Sequence, residues 1–217
     1  MDEAIFHLIN QQWTNPALDL FMAVMSDSEI WKPFLILIVL LALVFGRFKA
    51  RACLICLLFA FVITEQVTSF LKTAFDRRRP KQVETVRMVE LAKVHPAFLK
   101  IFYKPTIRFS DASDRNLSRS GPSFPSGHAT NNTVIALCLT VFYRRRGWLY
   151  WIITAVIGYS RMYLGAHWPS DVLASVFLAA GETLLILAVL EFVWRRAAPR
   201  WLPNVYDRHP TLLGGTP

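Results

Sequence analysis

Five long apolar segments constrain this chain more than any other feature of its sequence. A helix needs about 20 consecutive apolar residues to cross a bilayer, and hydrophobic residues make up 54% of this 217-residue chain. The pattern predicts an all-α integral membrane bundle of about five to six transmembrane helices. The apolar segments run roughly over residues 30–46, 52–74, 128–143, 147–163 and 171–194.

The other stretches complete a single membrane-embedded domain over residues 1–217. Residues 1–28 are expected to form amphipathic helices that lie in the membrane interface. The apolar stretch at 17–26 leaves a short extra span as the rival interpretation. Residues 76–127 form one long polar loop, and residues 201–217 are expected to form a tail.

The distribution of positive charge predicts an orientation. The formal net charge is +9, and basic clusters at 47–51, 144–146 and 195–200 fall on one side of a five-span arrangement. Short cytoplasmic connections of membrane proteins are rich in Lys and Arg. We therefore expect a plasma (inner) membrane protein whose 76–127 loop faces the periplasm or another extracytoplasmic space. Because the cations flank apolar segments, we expect membrane anchors and no nucleic-acid partner.

Three polar strings lie on the side opposite the basic clusters, next to the ends of apolar segments. Phosphoryl transfer requires cations on the equatorial oxygens, an in-line nucleophile and a proton for the leaving oxygen. The strings carry residue types suited to each task. They are Lys72 to Arg79-Pro80, then Pro125-Ser126-Gly127-His128, and then Ser160-Arg161 followed by His167 and Asp171.

The first string extends an apolar segment. Lys72 and Arg79 are seven residues apart, so a continuing helix would place both on one face. Glu65 and Ser69 share that face, and charged groups that face lipid are costly. This stripe is therefore expected to point into the bundle, and Glu65 is a candidate to orient Lys72.

The second string lies where the long loop enters a helix. Backbone N–H groups at a helix N-terminus bind anions, and Gly127 allows a close approach. Ser126 can donate its hydroxyl to a phosphate oxygen, although capping the helix is its alternative role. One of Asn131 and Asn132 is expected to face the site, while the other packs between helices.

The third string pairs a histidine with a carboxylate. His167 and Asp171 are four residues apart, and a helical turn would let Asp171 accept the proton of one imidazole nitrogen. The other nitrogen is then left nucleophilic. The guanidinium of Arg161 can donate hydrogen bonds to two phosphate oxygens at once. The alternative is that Arg161 snorkels, with its charged end at the membrane surface. Arg77 and Arg78 are expected to snorkel or to contact head groups.

Together the strings resemble the three signatures of the type 2 phosphatidic acid phosphatase superfamily. Those signatures are Lys, six residues and Arg-Pro; Pro-Ser-Gly-His; and Ser-Arg, five residues, His, three residues and Asp. The resemblance implies an all-helical membrane protein that uses no metal or other cofactor. It implies that His167 forms a phosphohistidine, that Asp171 orients His167, and that His128 protonates the leaving group. It also implies that the phosphate is held by Lys72, Arg79, Ser126, Gly127 and Arg161.

These observations favour a membrane lipid phosphatase that acts on an anionic head group. Candidate substrates are undecaprenyl diphosphate, phosphatidylglycerol phosphate, phosphatidate and the phosphates of lipid A, because the strings bind phosphate and not the lipid tail. A lipid phosphotransferase would use the same intermediate. A non-catalytic anion transporter is the remaining alternative, but it leaves the spacing of His167 and Asp171 unexplained.

Overall fold

The computed structural model describes residues 1–110 and 121–213, and most of them are helical. The predicted helical membrane bundle is confirmed, although a small two-stranded sheet accompanies the helices. In chain order the elements are α1 (Asp2–His7), a π-helical turn (Leu8–Gln12), α2 (Pro16–Ser26), α3 (Ser28–Phe45), α4 (Phe48–Phe75), α5 (Pro80–Val83), β1 (Arg87–Glu90), a 3-10 turn (Ala97–Phe102), β2 (Thr106–Phe109), α6 (Gly127–Tyr143), α7 (Arg145–Trp148), α8 (Tyr150–Tyr163), α9 (Pro169–Trp201) and α10 (Pro203–Tyr206).

The five predicted apolar segments coincide with the five longest apolar helices of the described residues. These helices are α3, α4, α6, α8 and α9. Three of them, α3, α4 and α9, are long and apolar enough to cross a membrane. On α3 every side chain from Phe34 to Leu41 is exposed. A continuous apolar surface of this kind, on a helix long enough to span a bilayer, is suited to contact with lipid. The chain is therefore a multi-pass membrane protein, and the count of about five to six spans stays a prediction.

The core of the bundle forms where α4, α6 and α9 pack together. Helix α4 contributes Ala52, Cys53, Cys56 and Ala60, which are all buried and spaced to share one face of the helix. Small side chains let helix backbones approach closely, and this packing drives helix association in a membrane. The larger side chains of the same cluster include Val134, Phe142 and Leu187.

The predicted tail at 201–217 is partly ordered against this core. Helix α9 continues to Trp201, and the short α10 follows it. Leu212 is buried in the core cluster, and Glu191 accepts hydrogen bonds from the N–H groups of Leu212 and Leu213 at 2.8 and 3.1 Å. Residues 214–217 lie outside the described residues.

The three polar strings lie at one end of the bundle because of the directions in which the helices run. Helices α4 and α8 end there, and α6 and α9 begin there. The basic clusters lie at the opposite end, where the ammonium of Lys49 stands 5.4 Å from the ring centre of Tyr143. The bundle therefore has a basic end and a string-bearing end.

Residues 1–28 pack on the string-bearing end of the protein. Phe6 is fully buried, and its ring centre lies 5.2 Å from that of Trp168. Asn15 caps α2 by accepting a hydrogen bond from the N–H of Leu18 at 2.9 Å, and Pro16 occupies the first helical position. Because α2 has 11 residues, it is too short to cross a bilayer alone.

The long polar loop contains the strand pair that the sequence analysis missed. Strand β1 pairs antiparallel with β2, and Arg87 lies opposite Phe109. Each strand has four residues, which is too few for a recognisable alternation of apolar and polar side chains. Residues 111–120 of this loop lie outside the described residues.

A buried polar network ties the hairpin and α2 to the end of α8. Arg87 donates a hydrogen bond to one carboxylate oxygen of Asp19 at 2.6 Å, and the Tyr163 hydroxyl donates to the other at 2.6 Å. The Asn10 amide donates to the backbone carbonyls of Arg87 and Tyr163, both at 2.8 Å. Because its members lie on separate segments, the network fixes the position of the turn that follows Tyr163.

Candidate active site

His167 lies in a tight turn between α8 and α9. The backbone carbonyl of Arg161 accepts hydrogen bonds from the N–H groups of Ala166 and His167 at 3.0 and 3.2 Å. Gly165 has a φ of +71°, and a Cβ there would stand 2.9 Å from a methyl carbon of Val86, so the turn requires glycine. Helix α9 begins two residues after His167, which places His167 ahead of the helix.

The imidazole of His167 is held in one tautomer. Nδ1 lies 2.6 Å from the backbone carbonyl of Ser123 and must donate its proton to that oxygen. Nε2 consequently carries the lone pair. The residue is 2% exposed, and burial, followed by the charges of Arg161 and Arg79, lowers the pKa of His167 well below its usual range. A neutral ring with a free Nε2 is the form that a nucleophile requires.

Asp171 is linked to His167 through Ser123. The carboxylate of Asp171 accepts hydrogen bonds from the Ser123 hydroxyl at 2.5 Å and from Nη1 of Arg77 at 2.6 Å. The prediction of a direct hydrogen bond between His167 and Asp171 is therefore wrong. His167 precedes α9, so the two residues do not share a helical turn. The carbonyl of Ser123 holds the imidazole while its hydroxyl holds the carboxylate.

Arg77 is a site residue that the sequence analysis missed. Its guanidinium bridges Asp171 and Asp2, the latter at 2.7 Å, so the prediction that it snorkels is wrong. Its backbone carbonyl accepts a hydrogen bond from the N–H of Ser123 at 2.6 Å. Asp171 is 1% exposed, and a carboxylate so deeply buried needs an opposite charge. No spacing rule connects residues this far apart in sequence.

Arg79 enters the site from a loop. Helix α4 ends where Asp76 adopts a left-handed conformation with a φ of 39°. The prediction that Lys72 and Arg79 share one face of a continuing helix is therefore wrong. Nε of Arg79 donates to the carbonyl of Gly121 at 2.8 Å, and the positive charge of Arg79 still acts on His167.

Lys72 lies on the last turn of α4 and is half-buried. The carboxylate of Glu65 interacts electrostatically with it. Glu65 and Ser69 are exposed, so the prediction that their stripe points into the bundle is wrong. The buried face of α4 carries Thr64 and Thr68 instead, because short side chains allow closer helix packing than a carboxylate does.

Ser126 and Gly127 form the start of α6. The Ser126 hydroxyl makes no capping bond, so the capping alternative is wrong. That hydroxyl is buried and has no hydrogen-bond partner among the described residues, which costs about 1–3 kcal/mol. A Cβ on Gly127 would meet no atom within 4 Å. The first turn of α6 therefore combines open space with a donor that a bound anion would satisfy.

Arg161 and His128 meet at Ser26, the last residue of α2. Nη1 of Arg161 donates to the Ser26 hydroxyl, and Nε2 of His128 donates to the Ser26 carbonyl at 3.1 Å. Nε of Arg161 is buried without a partner in the described part of the chain. Arg161 therefore points into the protein and does not snorkel. Nothing in the sequence around Ser26 marks it as part of this site.

The two asparagines of α6 have different surroundings. The Tyr150 hydroxyl donates to Oδ1 of Asn132 at 3.1 Å, and the Asn132 amide donates to the carbonyl of His128 at 2.9 Å. Asn132 is thus the residue that packs between helices. Oδ1 of Asn131 is buried and lacks a partner among the residues described, and a supporting role for Asn131 stays a prediction.

The string-bearing end of the bundle brings together residue types that suit a tetrahedral anion. It combines an unprotonated imidazole nitrogen with cations and with two buried donors that have no hydrogen-bond partner among the described residues. The profile of the PAP2 superfamily matches residues 53–198, a range that contains all three strings. The chain belongs to the PAP2 superfamily.

Two curated relatives are similar along most of their length. A lipid A 4'-phosphatase of Porphyromonas gingivalis is 27% identical over 92% of this chain and 75% of its own. An undecaprenyl-diphosphatase of Sulfolobus acidocaldarius is 29% identical over 85% of this chain and 76% of its own. The crystal structure of Aquifex aeolicus LpxE aligns with a TM-score of 0.59 at 21% identity, over 86% of this chain and 94% of that one. At this level of identity, the similarity to LpxE is a similarity of fold.

Proposed function

We propose that this protein is a membrane lipid phosphatase that works through a phosphohistidine at His167. The observation that carries the proposal is a buried, neutral imidazole whose Nε2 carries the lone pair, at the same end of the bundle as two buried donors that have no partner among the described residues. Those donors are the Ser126 hydroxyl and Nε of Arg161. A nucleophile and preorganised charge stabilisation are the main requirements of phosphoryl transfer through a covalent intermediate.

In the first step Nε2 of His167 bonds to phosphorus while the bond to the leaving oxygen breaks. Lys72, Arg79 and Arg161 neutralise the charge on the equatorial oxygens. The Ser126 hydroxyl donates to the same oxygens, as does the backbone at the start of α6. Two of these donors, the Ser126 hydroxyl and Nε of Arg161, have no partner among the described residues, so a bound phosphate can satisfy them without displacing a protein contact.

His128 serves both steps of the reaction. It gives a proton to the leaving oxygen, and it later takes one from the water that hydrolyses the phosphohistidine. Phosphorylation makes the His167 ring cationic. The Asp171 carboxylate, held close by Ser123 and Arg77, stabilises that positive charge and keeps the ring in place.

A lipid substrate follows from the position of the site. The strings lie at the ends of apolar helices, so a lipid tail can stay in the bilayer while its head group reaches the cations. The names of the relatives point to lipid A phosphates and undecaprenyl diphosphate, and phosphatidate and phosphatidylglycerol phosphate remain candidates. The basic clusters favour a site on the periplasmic or extracytoplasmic face of the plasma membrane.

A phosphate-release assay on the purified full chain in detergent tests the proposal. The panel contains a polyprenyl diphosphate, phosphatidate, phosphatidylglycerol phosphate and a phosphorylated acyl disaccharide, each with and without EDTA. We expect release of inorganic phosphate from at least one lipid, without an acceptor lipid and with no loss on chelation. Transfer of the phosphate to an added acceptor lipid, with no release of inorganic phosphate, would establish a phosphotransferase. Neither release nor transfer from any lipid would contradict the proposal.

A further inference from the structure

A cleft lies beside the candidate active site, and the two have Arg161 in common. Its volume is about 600 Å³, and it opens between the end of α2 and the chain that continues from β1. Arg161 lines this cleft, and its charge also acts on His167. The charge of one guanidinium therefore acts on both the cleft and the imidazole of His167.

The cleft carries a surplus of positive charge. Lys100 is paired with Asp27 at 2.7 Å, and Arg108 lies 3.5 Å from Glu90. These four side chains all line the cleft, and their charges balance. Two further cations line it without a carboxylate partner among the described residues: Lys93 and Arg161.

The size and polarity of the cleft suit a hydrated head group. A volume of about 600 Å³ falls within the roughly 300–1,000 Å³ of small-molecule sites and exceeds the needs of one phosphate. An acyl chain would desolvate the charged side chains at a cost of several kcal/mol. Val89, Leu91 and Leu164 contribute an apolar part of the lining, which suits the carbon face of a sugar ring.

We infer that this cleft binds the part of the lipid head group beyond the cleaved phosphate, and that it selects sugar head groups that carry a second anionic group. The inference rests on the proposed function of the candidate active site. The reactive phosphate lies against His167, Arg161 contacts both parts of the head group, and the second anion lies against Lys93. A lipid whose head group ends at the reactive phosphate leaves the cleft filled with water.

The test compares two lipids that differ only in the second anion. One is an acylated glucosamine disaccharide with a phosphate on each sugar, and the other retains only the phosphate that the enzyme removes. The measured quantity is the ratio of kcat/KM for the first lipid to that for the second, on the full chain in detergent. We expect a ratio above one for the wild type and a ratio about tenfold lower for Lys93→Glu, equivalent to about 1.4 kcal/mol.

Lys104→Glu is the matched control, because Lys104 is exposed in the same loop and lies outside the cleft. Its ratio should stay within about twofold of the wild type, as expected for a screened surface charge. A wild-type ratio of one or less, or an unchanged ratio in Lys93→Glu, overturns the inference. Absence of phosphate release from both lipids by the wild type would instead contradict the proposed function.

Discussion

The two ends of the bundle are stabilised in different ways. The basic end has an apolar core, in which Cys56, Val134 and Leu187 pack between helices. The string-bearing end has smaller apolar clusters, and it is held in addition by buried charges and hydrogen bonds, with Asp19 and Asp171 at their centres. Apolar contacts tolerate exchanges of similar volume, whereas a buried ion pair fails when one partner is removed. Function and sensitivity to mutation therefore concentrate at the string-bearing end.

The largest effect is expected for His167→Ala, which removes the proposed nucleophile at the string-bearing end. Phosphate release should fall on the order of 1,000-fold or more, as for other enzymes that lose a nucleophile. The thermal unfolding midpoint in detergent should change little by comparison. The control is His209→Ala, since His209 stacks on Phe48 at the basic end with ring centres 4.0 Å apart. Comparable losses of activity in both variants would break the contrast between the two ends.

Asp19→Ala removes the centre of the buried network and should be the most destabilising of these changes. Arg87 and Tyr163 both lose their partner, and an uncompensated buried charge costs about 3–5 kcal/mol in the free energy of unfolding. Denaturant unfolding in detergent measures this loss in the free energy of unfolding. Glu29→Ala removes the exposed pair with Lys32 and should cost less than about 1 kcal/mol. Equal costs for the two variants would show that the network is not a structural anchor.

Ser123→Ala should lower phosphate release by about 10- to 100-fold, since it deprives the Asp171 carboxylate of a hydrogen bond worth about 1–3 kcal/mol. The carbonyl that holds His167 remains, so the effect is one of positioning. Ser123→Thr keeps the hydroxyl and should restore most of the activity. If Ser123→Thr is as impaired as Ser123→Ala, the hydroxyl does not link Asp171 to the catalytic ring.

The smallest effect is expected for Cys56→Ala at the basic end. Cys56 is fully buried among apolar neighbours, and loss of its sulfur should cost about 1 kcal/mol in the free energy of unfolding. Phosphate release should stay at the wild-type level when measured well below the unfolding temperature. A tenfold loss of activity would show that the apolar core controls the site, contrary to the comparison.

Sequence alone predicted the apolar end well and the polar end only in part. The helices follow from hydrophobic runs, because each long run must form a helix to satisfy its backbone within a membrane. The three strings were recognisable because their residue types and spacing match one chemistry. They also meet at one end of the bundle, since the helices that carry them alternate in direction.

The contacts that complete the site were not predictable from spacing. Arg77 and Ser123 reach it from loops and Ser26 from the end of α2, and their partners lie far along the chain. The expectation for Arg79 failed because a single left-handed residue, Asp76, ends α4 before the arginine. The expectation for a direct Asp171 contact failed in a similar way, because the helix starts after His167. Local helix boundaries decided both outcomes.

The central claim is that the imidazole of His167 bonds covalently to phosphorus. The most direct measurement is to quench the enzyme in alkali, where phosphohistidine is stable, during turnover of a lipid labelled in its reactive phosphate. Peptide mass spectrometry then locates the label. The account predicts a phosphorylated His167 that disappears as inorganic phosphate is released. Steady release of phosphate with no label on His167 under the same quench would contradict it.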